Sequence, residues 1–135
     1  RQMCIRDRNK TTIYDETYNA SPESVKACIN NLLDSPNNHF LIFGSMKELG
    51  SESKKYHKDI FDFINRSDIK KCIFICDRND EIYYADYLKK STKFLFFNEI
   101  NKVAQTINKL TKPGDFILIK GSRSWRLEKI IKSID

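Results

Sequence analysis

The 135-residue sequence lacks the features that define several large classes of protein. No apolar run approaches the roughly 20 residues that a membrane-spanning helix needs, and the N-terminus lacks the apolar segment of a signal peptide. Only 4 glycines and 3 prolines are present, which excludes collagen-like and low-complexity chains. Because 40% hydrophobic residues can fill one core, the composition predicts a single domain rather than a multidomain enzyme. The missing membrane-spanning and signal segments predict a cytoplasmic location.

Cysteine and histidine are also sparse, with 4 and 2 residues. Cys72 and Cys76 stand four apart in an apolar run, where a strand would separate their Cα atoms by about 13 Å, too far for a disulfide. No C-x-x-C pair or Cys/His ligand set is present, so no metal site is predicted. His39 precedes a predicted strand and is expected at the surface, whereas His57 is expected to pack or hydrogen-bond within a helix.

The sequence offers little support for binding nucleotides or nucleic acids unaided. It contains no G-x-x-x-x-G-K-[ST] phosphate loop, and no G-x-G-x-x-G follows the first predicted strand. The net charge of +6 is dispersed among acidic residues, with basic runs no longer than pairs such as Lys54 and Lys55. We therefore predict an ordinary solvated surface, with no nucleic-acid partner and no membrane insertion.

The first eight residues have no periodicity and lead abruptly into a patterned chain. They resemble a translation of the transposon end used to prepare sequencing libraries. We predict that residues 1–8 are a non-native sequencing-library scar and that residues 9–135 form the domain, as the tail of a longer protein. Without the three Arg and one Asp of this segment, the net charge falls from +6 to +4.

From Thr11 onward, short apolar runs alternate with helical patterns. Most of the runs are continuously apolar, which is typical of parallel strands covered on both faces. They comprise residues 12–14, 40–43, 72–76, 94–97 and 116–119. The alternation predicts an α/β fold, a Rossmann-like three-layer sandwich with a mainly parallel sheet of about five or six strands.

Capping residues and apolar stripes predict the helices between these strands. Ser21 and Pro22 are an N-cap and a first-turn proline for a helix whose stripe runs to residue 33. Ser51 and Asn98 are predicted to cap two further helices. A weaker helix is predicted over residues 80–89, and a last stripe covers residues 127–134.

Three polar segments follow predicted strands, at residues 15–22, 44–50 and 120–123. Ligands of parallel sheets bind at the carboxyl ends of the strands. The first segment enters a helix, whose positive end favours anions, and its carboxylates could act through a metal or a ribose. In it, Tyr18 and Asn19 could meet the edge of a base.

The other two segments suit anionic or peptide-like ligands. Residues 44–50 could cradle a ligand with backbone N–H groups near two glycines. Lys120, Ser122 and Arg123 place two cations and a hydroxyl at a strand end, a suitable arrangement for a carboxylate or phosphate. Taken alone, the first two segments are better explained as plain structural turns, and the third is too short to indicate a ligand.

Taken together, the segments resemble one known family. The matching stretches are Asp-Glu-Thr-Tyr-Asn-Ala-Ser-Pro-Glu-Ser at 15–24, Gly-Ser-Met-Lys-Glu-Leu-Gly at 44–50, Pro-Gly-Asp at 113–115 and Lys-Gly-Ser-Arg at 120–123. They resemble the C-terminal domain of the Mur ligases, in the branch that adds D-alanyl-D-alanine. The resemblance covers residues 11–135, but the family usually has Asn where Ser21 stands and Asp where Ser45 stands.

The resemblance implies a three-domain, ATP-dependent acid–amino-acid ligase of cytoplasmic peptidoglycan synthesis. Such an enzyme joins D-alanyl-D-alanine to UDP-N-acetylmuramoyl-tripeptide, and its C-terminal domain closes over the other two. ATP and Mg²⁺ would be bound mainly by the central domain, which this sequence does not include. The 135 residues alone are therefore predicted to be inactive and to carry no catalytic residue or metal ligand.

The resemblance also implies roles for particular residues. Those on the ATP side would be Asp15, Tyr18 and Asn19, and those on the substrate side would be Ser45, Lys47, Glu48, Lys120, Ser122 and Arg123. Lys120 and Arg123 are the best candidates to counter the dipeptide carboxylate or the charge of the reaction intermediate. Arg78 is a weaker candidate for this role. The alternative is a free-standing Rossmann-like nucleotide-binding or regulatory module.

Overall fold

A computed structural model describes residues 4–8, 11–16, 21–34, 38–46, 49–121 and 125–134 of the chain. Within these ranges the strands are β1 (Cys4–Arg8), β2 (Thr11–Glu16), β3 (His39–Gly44), β4 (Lys71–Ile75), β5 (Phe94–Phe97) and β6 (Phe116–Lys120). The helices are α1 (Pro22–Leu33), α2 (Ser53–Arg66), α3 (Arg78–Lys89), α4 (Val103–Leu110) and α5 (Glu128–Ser133).

The described strands form one six-stranded sheet in the order β1-β2-β6-β3-β4-β5. Every neighbouring pair is parallel except β1 and β2. The predicted α/β fold with a mainly parallel sheet is therefore confirmed. The last strand, β6, lies between β2 and β3, so the carboxyl ends of these three strands are neighbours.

Helices cover both faces of the sheet, which explains why its strands are continuously apolar. One core cluster joins the sheet to α1, α2 and α3, and a second joins it to α4 and α5. Strand β3 is buried along its whole length. Cys28, Cys72 and Cys76 are buried and form no disulfide, as expected for core residues, and burial raises the pKa of the Cys72 thiol.

The helix starts follow the predicted caps only in part. Ser21 caps α1 with Pro22 as its first residue, as predicted. The caps predicted at Ser51 and Asn98 are wrong. Ser51 lies in a 3₁₀ turn that precedes α2, and α4 begins only at Val103. The Asn98 side chain instead donates to the Cys76 carbonyl at 3.4 Å and so links the ends of β5 and β4.

His39 is 6% exposed, so its predicted surface position is wrong. Its ring lies 5.9 Å from that of Phe116, measured between centroids. Because β3 runs through the middle of the sheet, even its first residue is covered by the neighbouring strand.

The segment predicted to be a scar takes part in backbone pairing. Residues 4–8 form β1, in which Cys4 lies opposite Asp15 and Arg8 opposite Thr11. Their sequence has no alternation that would predict a strand, but the outer edge of β2 offers hydrogen-bonding groups to any extended segment beside it. Backbone pairing of this kind would form with a native or a non-native segment. The non-native origin of residues 1–8 therefore stays a prediction.

Two glycines allow β3 and β6 to end in close contact. A Cβ atom on Gly121, just after β6, would lie 3.2 Å from the Gly44 Cα and 2.5 Å from the Leu127 Cδ1. A Cβ atom on Gly44 would lie 2.8 Å from the Trp125 Cδ1. Any larger residue at either position would therefore push apart the strand ends or the segment packed on them.

We expect Gly121→Asn to lower the free energy of unfolding by about 1–3 kcal/mol, the usual cost of overpacking a filled site. Gly50→Asn is the matched control: no atom lies within 4 Å of its added Cβ, and Asn tolerates the positive φ of 62° found there. Urea unfolding of both variants measures the difference. Equal stability of the two variants would contradict the close approach.

Candidate functional site

The carboxyl ends of β2, β6 and β3 bring predicted site residues to one edge of the sheet. Lys120, the last residue of β6, lies opposite Glu16 of β2 and Phe43 of β3 in the strand register. Asp15 lies one step earlier, opposite Ile119. The predicted ATP-side carboxylate and the predicted substrate-side ammonium therefore belong to adjacent strands.

Lys120 is an internal charge rather than a surface lysine, because its side chain is only 2% exposed. Alternation along β6 puts it on the same sheet face as Leu118, which packs in the α1–α2–α3 core. Buried charges are stable only when they are paired or hydrogen-bonded. Lys120 is thus buried where β6 ends, at the carboxyl edge of the sheet.

Asp15 leaves the sheet on the opposite face. It shares that face with Ile13, which packs in the α4–α5 core, and is itself half-buried. Asp15 and Lys120 thus lie on opposite faces of the sheet edge.

Three hydrogen bonds hold the backbones of Ser45 and Met46, the first two residues of the loop after β3. The Ser45 N–H donates to the Ile75 carbonyl at 2.8 Å, and the Ser45 carbonyl accepts from the Trp125 Nε1–H at 3.0 Å. The Met46 N–H donates to the His57 Nε2 at 2.9 Å. Ser45 is 4% exposed, and its backbone N–H and carbonyl both form hydrogen bonds.

His57 is 1% exposed and lies among aromatic rings, including those of Phe43, Phe74 and Tyr84. Its Nδ1 is 2.8 Å from the Ser53 carbonyl, an acceptor, while its Nε2 accepts from Met46. These partners assign the neutral ring with the proton on Nδ1. The expected packing and hydrogen-bonding role of His57 is confirmed.

Arg78 follows a strand that is not a neighbour of β6 in the sheet. It is the exposed first residue of α3, which follows β4, and β3 lies between β4 and β6. The remaining predicted site residues lie outside the described part of the chain: Tyr18, Asn19, Lys47, Glu48, Ser122 and Arg123.

An open cavity of about 380 Å³ lies beside the start of α1, and the sequence pattern did not predict it. It is lined by Ser21, Pro22, Glu23, Lys26, Leu49, Tyr56 and Asp59. On its wall, Lys26 and Asp59 form a 2.8 Å ion pair that joins α1 to α2 and lowers the pKa of the Asp59 carboxyl. The volume is at the lower end of the range for small-molecule sites.

Two features are absent from the residues that the structure describes. No group of three or more His, Cys, Asp or Glu side chains there could hold a metal ion. No helix in the same part of the chain is long and apolar enough to cross a membrane.

Comparison with known proteins gives a consistent family. Residues 1–123 match the family described as Mur ligase, glutamate ligase domain. A UDP-N-acetylmuramoyl-tripeptide–D-alanyl-D-alanine ligase of Rickettsia prowazekii is 33% identical over 132 residues, covering 97% of this chain and 29% of the relative. The ligase of the same name from Borreliella burgdorferi is 32% identical over 129 residues, covering 94% of this chain and 28% of its own length.

Solved structures agree in fold. The MurF ligase of Thermotoga maritima, solved in complex with ADP, superposes with a TM-score of 0.82 at 30% identity, covering 96% of this chain and 29% of that one. MurF of Acinetobacter baumannii superposes with a TM-score of 0.84 at 21% identity, covering 97% and 29%, which supports the fold alone. The chain therefore spans less than a third of the length of these relatives.

Ser21 caps α1 at a position where the resemblance implies Asn. The Ser21 Oγ accepts from the Ser24 N–H at 3.2 Å, and the Ser24 Oγ accepts from the Ser21 N–H at 3.0 Å. We expect Ser21→Ala to lower the free energy of unfolding by about 1 kcal/mol, because it leaves a helix N–H without its cap, and Ser21→Asn to change it by only a few tenths. Denaturant unfolding measures both, and an equal loss would contradict this role.

Proposed function

Because this chain belongs to the Mur ligase family, we propose that it is the C-terminal domain of an ATP-dependent ligase that joins D-alanyl-D-alanine to UDP-N-acetylmuramoyl-tripeptide. The observation that carries the proposal is the agreement of relatives over nearly the whole chain, each named as this ligase. The same agreement favours a ligase domain over a free-standing nucleotide-binding or regulatory module.

On the ATP side, the proposal assigns Asp15, Tyr18 and Asn19. Asp15 stands at the carboxyl end of β2, the edge at which parallel sheets bind ligands. ATP and Mg²⁺ would be held mainly by a domain outside these 135 residues, since the sequence has no phosphate loop. We place the complete enzyme in the cytoplasm, where ATP and UDP-linked precursors are available.

On the dipeptide side, the proposal assigns Lys120 and Arg123 to the dipeptide carboxylate or to the negative charge that develops during amide formation. A cation held rigidly in a dry setting stabilises such charge more strongly than one in water, and Lys120 meets this condition. Further contacts are assigned to Ser45, Lys47, Glu48 and Ser122, with Arg78 as a possible addition.

The first test concerns the division of labour between domains. We expect the 135-residue chain to show no ATP turnover that depends on D-alanyl-D-alanine, because amide formation needs substrates brought together by closure of several domains. A coupled phosphate-release assay measures this, with the complete ligase from the genomic locus as the positive control. Turnover by the chain alone would contradict the proposal.

The second test concerns the two cations in the complete ligase. We expect Lys120→Met and Arg123→Met each to lower kcat/KM for the dipeptide by about 1.5–3 kcal/mol, roughly 10- to 150-fold, the range for a hydrogen bond to a charged group. The KM for UDP-tripeptide should change little. Steady-state kinetics measures both constants.

The exposed Lys109, on α4, provides the matched control, and Lys109→Met should leave all constants unchanged. A purely structural role for Lys120 or Arg123 predicts a different result: a lower melting temperature with equal losses for ATP, UDP-tripeptide and dipeptide. That result would reject the assigned substrate contact.

A further inference from the structure

Two aromatic side chains from distant parts of the chain hold the start of the loop that follows β3. Trp125, 80 residues away along the chain, donates to the Ser45 carbonyl at 3.0 Å. His57 of α2 accepts from the Met46 N–H at 2.9 Å. We call this pair the loop clamp.

The clamp sets a position as well as filling space. Ser45 and Met46 are 4% and 3% exposed, so water cannot easily replace a lost partner of their backbone groups. His57 is anchored in turn, since its other ring nitrogen bonds the Ser53 carbonyl at 2.8 Å. The His57 ring is therefore bonded at both nitrogens, and the Trp125 indole N–H is bonded to Ser45.

The clamp also connects two predicted substrate-side segments. Trp125 follows residues 120–123 in the chain, and its Cδ1 lies 2.8 Å from the position that a Cβ atom on Gly44 would take. Trp125 therefore links the part of the chain that follows β6 to the end of β3.

We propose that His57 and Trp125 are positioning residues for the acceptor dipeptide, because together they hold the loop after β3 at a set distance from the end of β6. This inference rests on the proposed function, in which the dipeptide lies between these two segments. Neither side chain touches the reacting atoms. Each acts through the backbone of Ser45 or Met46, and loss of either bond loosens the dipeptide site alone.

Amide hydrogen exchange of the ¹⁵N-labelled 135-residue chain tests the clamp without any enzymatic assay. His57→Phe keeps a ring in the aromatic pocket but removes the acceptor, so the Met46 amide should exchange about tenfold faster or more. His57→Gln supplies a carbonyl oxygen in place of Nε2 and should restore much of the protection. His39→Phe is the control, because His39 is also buried but lies at the opposite end of β3.

Steady-state kinetics of the complete ligase tests the consequence. We expect His57→Phe and Trp125→Phe to raise the KM for the dipeptide about tenfold, with the KM for ATP and for UDP-tripeptide within about twofold of wild type. His57→Gln should recover most of the loss, and His39→Phe should change none of the three constants. Should His57→Phe fail to fold, His57→Gln and Trp125→Phe decide the question by the same pattern.

Two results would overturn the inference. One is faster Met46 exchange with an unchanged KM for the dipeptide, which would mean that the clamp holds a loop of no consequence for this substrate. The other is an equal loss for all three substrates, which would mean a general structural role. Failure of the proposed function is distinct: wild-type complete enzyme would then not use the dipeptide at all, although the Met46 amide would still respond to His57→Phe.

Discussion

The contact between Gly44 and Gly121 is the constraint on which the rest of the site depends. Gly44 ends β3 and Gly121 directly follows β6. A Cβ atom on Gly121 would meet the Gly44 backbone and Leu127. A Cβ atom on Gly44 would meet Trp125 and Leu127, so neither position has room for a side chain. The approach lets Leu127 and Trp125 cover both strand ends. It also brings the ammonium-bearing end of β6 beside the loop after β3, so the sheet itself sets the relative position of the two segments.

Buried polar groups then make this arrangement rigid. Among the described residues, every buried side-chain nitrogen and oxygen atom has a hydrogen-bond partner. Both ring nitrogens of His57 form hydrogen bonds with backbone groups, and the Trp125 indole N–H donates to another. Because a fully bonded polar network costs energy to deform, the protein's own groups hold the described start of the loop after β3 in one arrangement.

The sequence alone predicted the elements whose physical cause is local. Four continuous apolar phenylalanine and leucine positions predicted β5 with the bounds that the structure has, and the Ser-Pro cap predicted the start of α1. The cap at Asn98 failed because that side chain found a tertiary partner, the Cys76 carbonyl, which no local pattern reveals. The same holds for the burial of His39 and for β1, both consequences of strand neighbours.

The candidate site was proposed from the sequence at the level of segments, and the contacts that the structure shows within its described part were not predicted. Polar residues at strand ends indicated the edge of the sheet, but the insertion of β6 between β2 and β3 is a long-range choice that periodicity does not contain. The bond from Trp125 to Ser45 spans 80 residues, and its only local sign in the sequence is an aromatic residue shortly after Gly121. The position of His57 on the apolar stripe of α2 signalled burial but not its partner, the Met46 N–H.

The central claim is that the carboxyl edge of β3 and β6 receives the dipeptide in a Mur ligase. A crystal structure of the complete ligase with UDP-tripeptide, a non-hydrolysable ATP analogue and D-alanyl-D-alanine tests it most directly. We expect dipeptide density between the loop after β3 and the end of β6, with the dipeptide carboxylate facing Lys120 and Arg123. Dipeptide bound elsewhere, with this edge left to solvent, would contradict the claim.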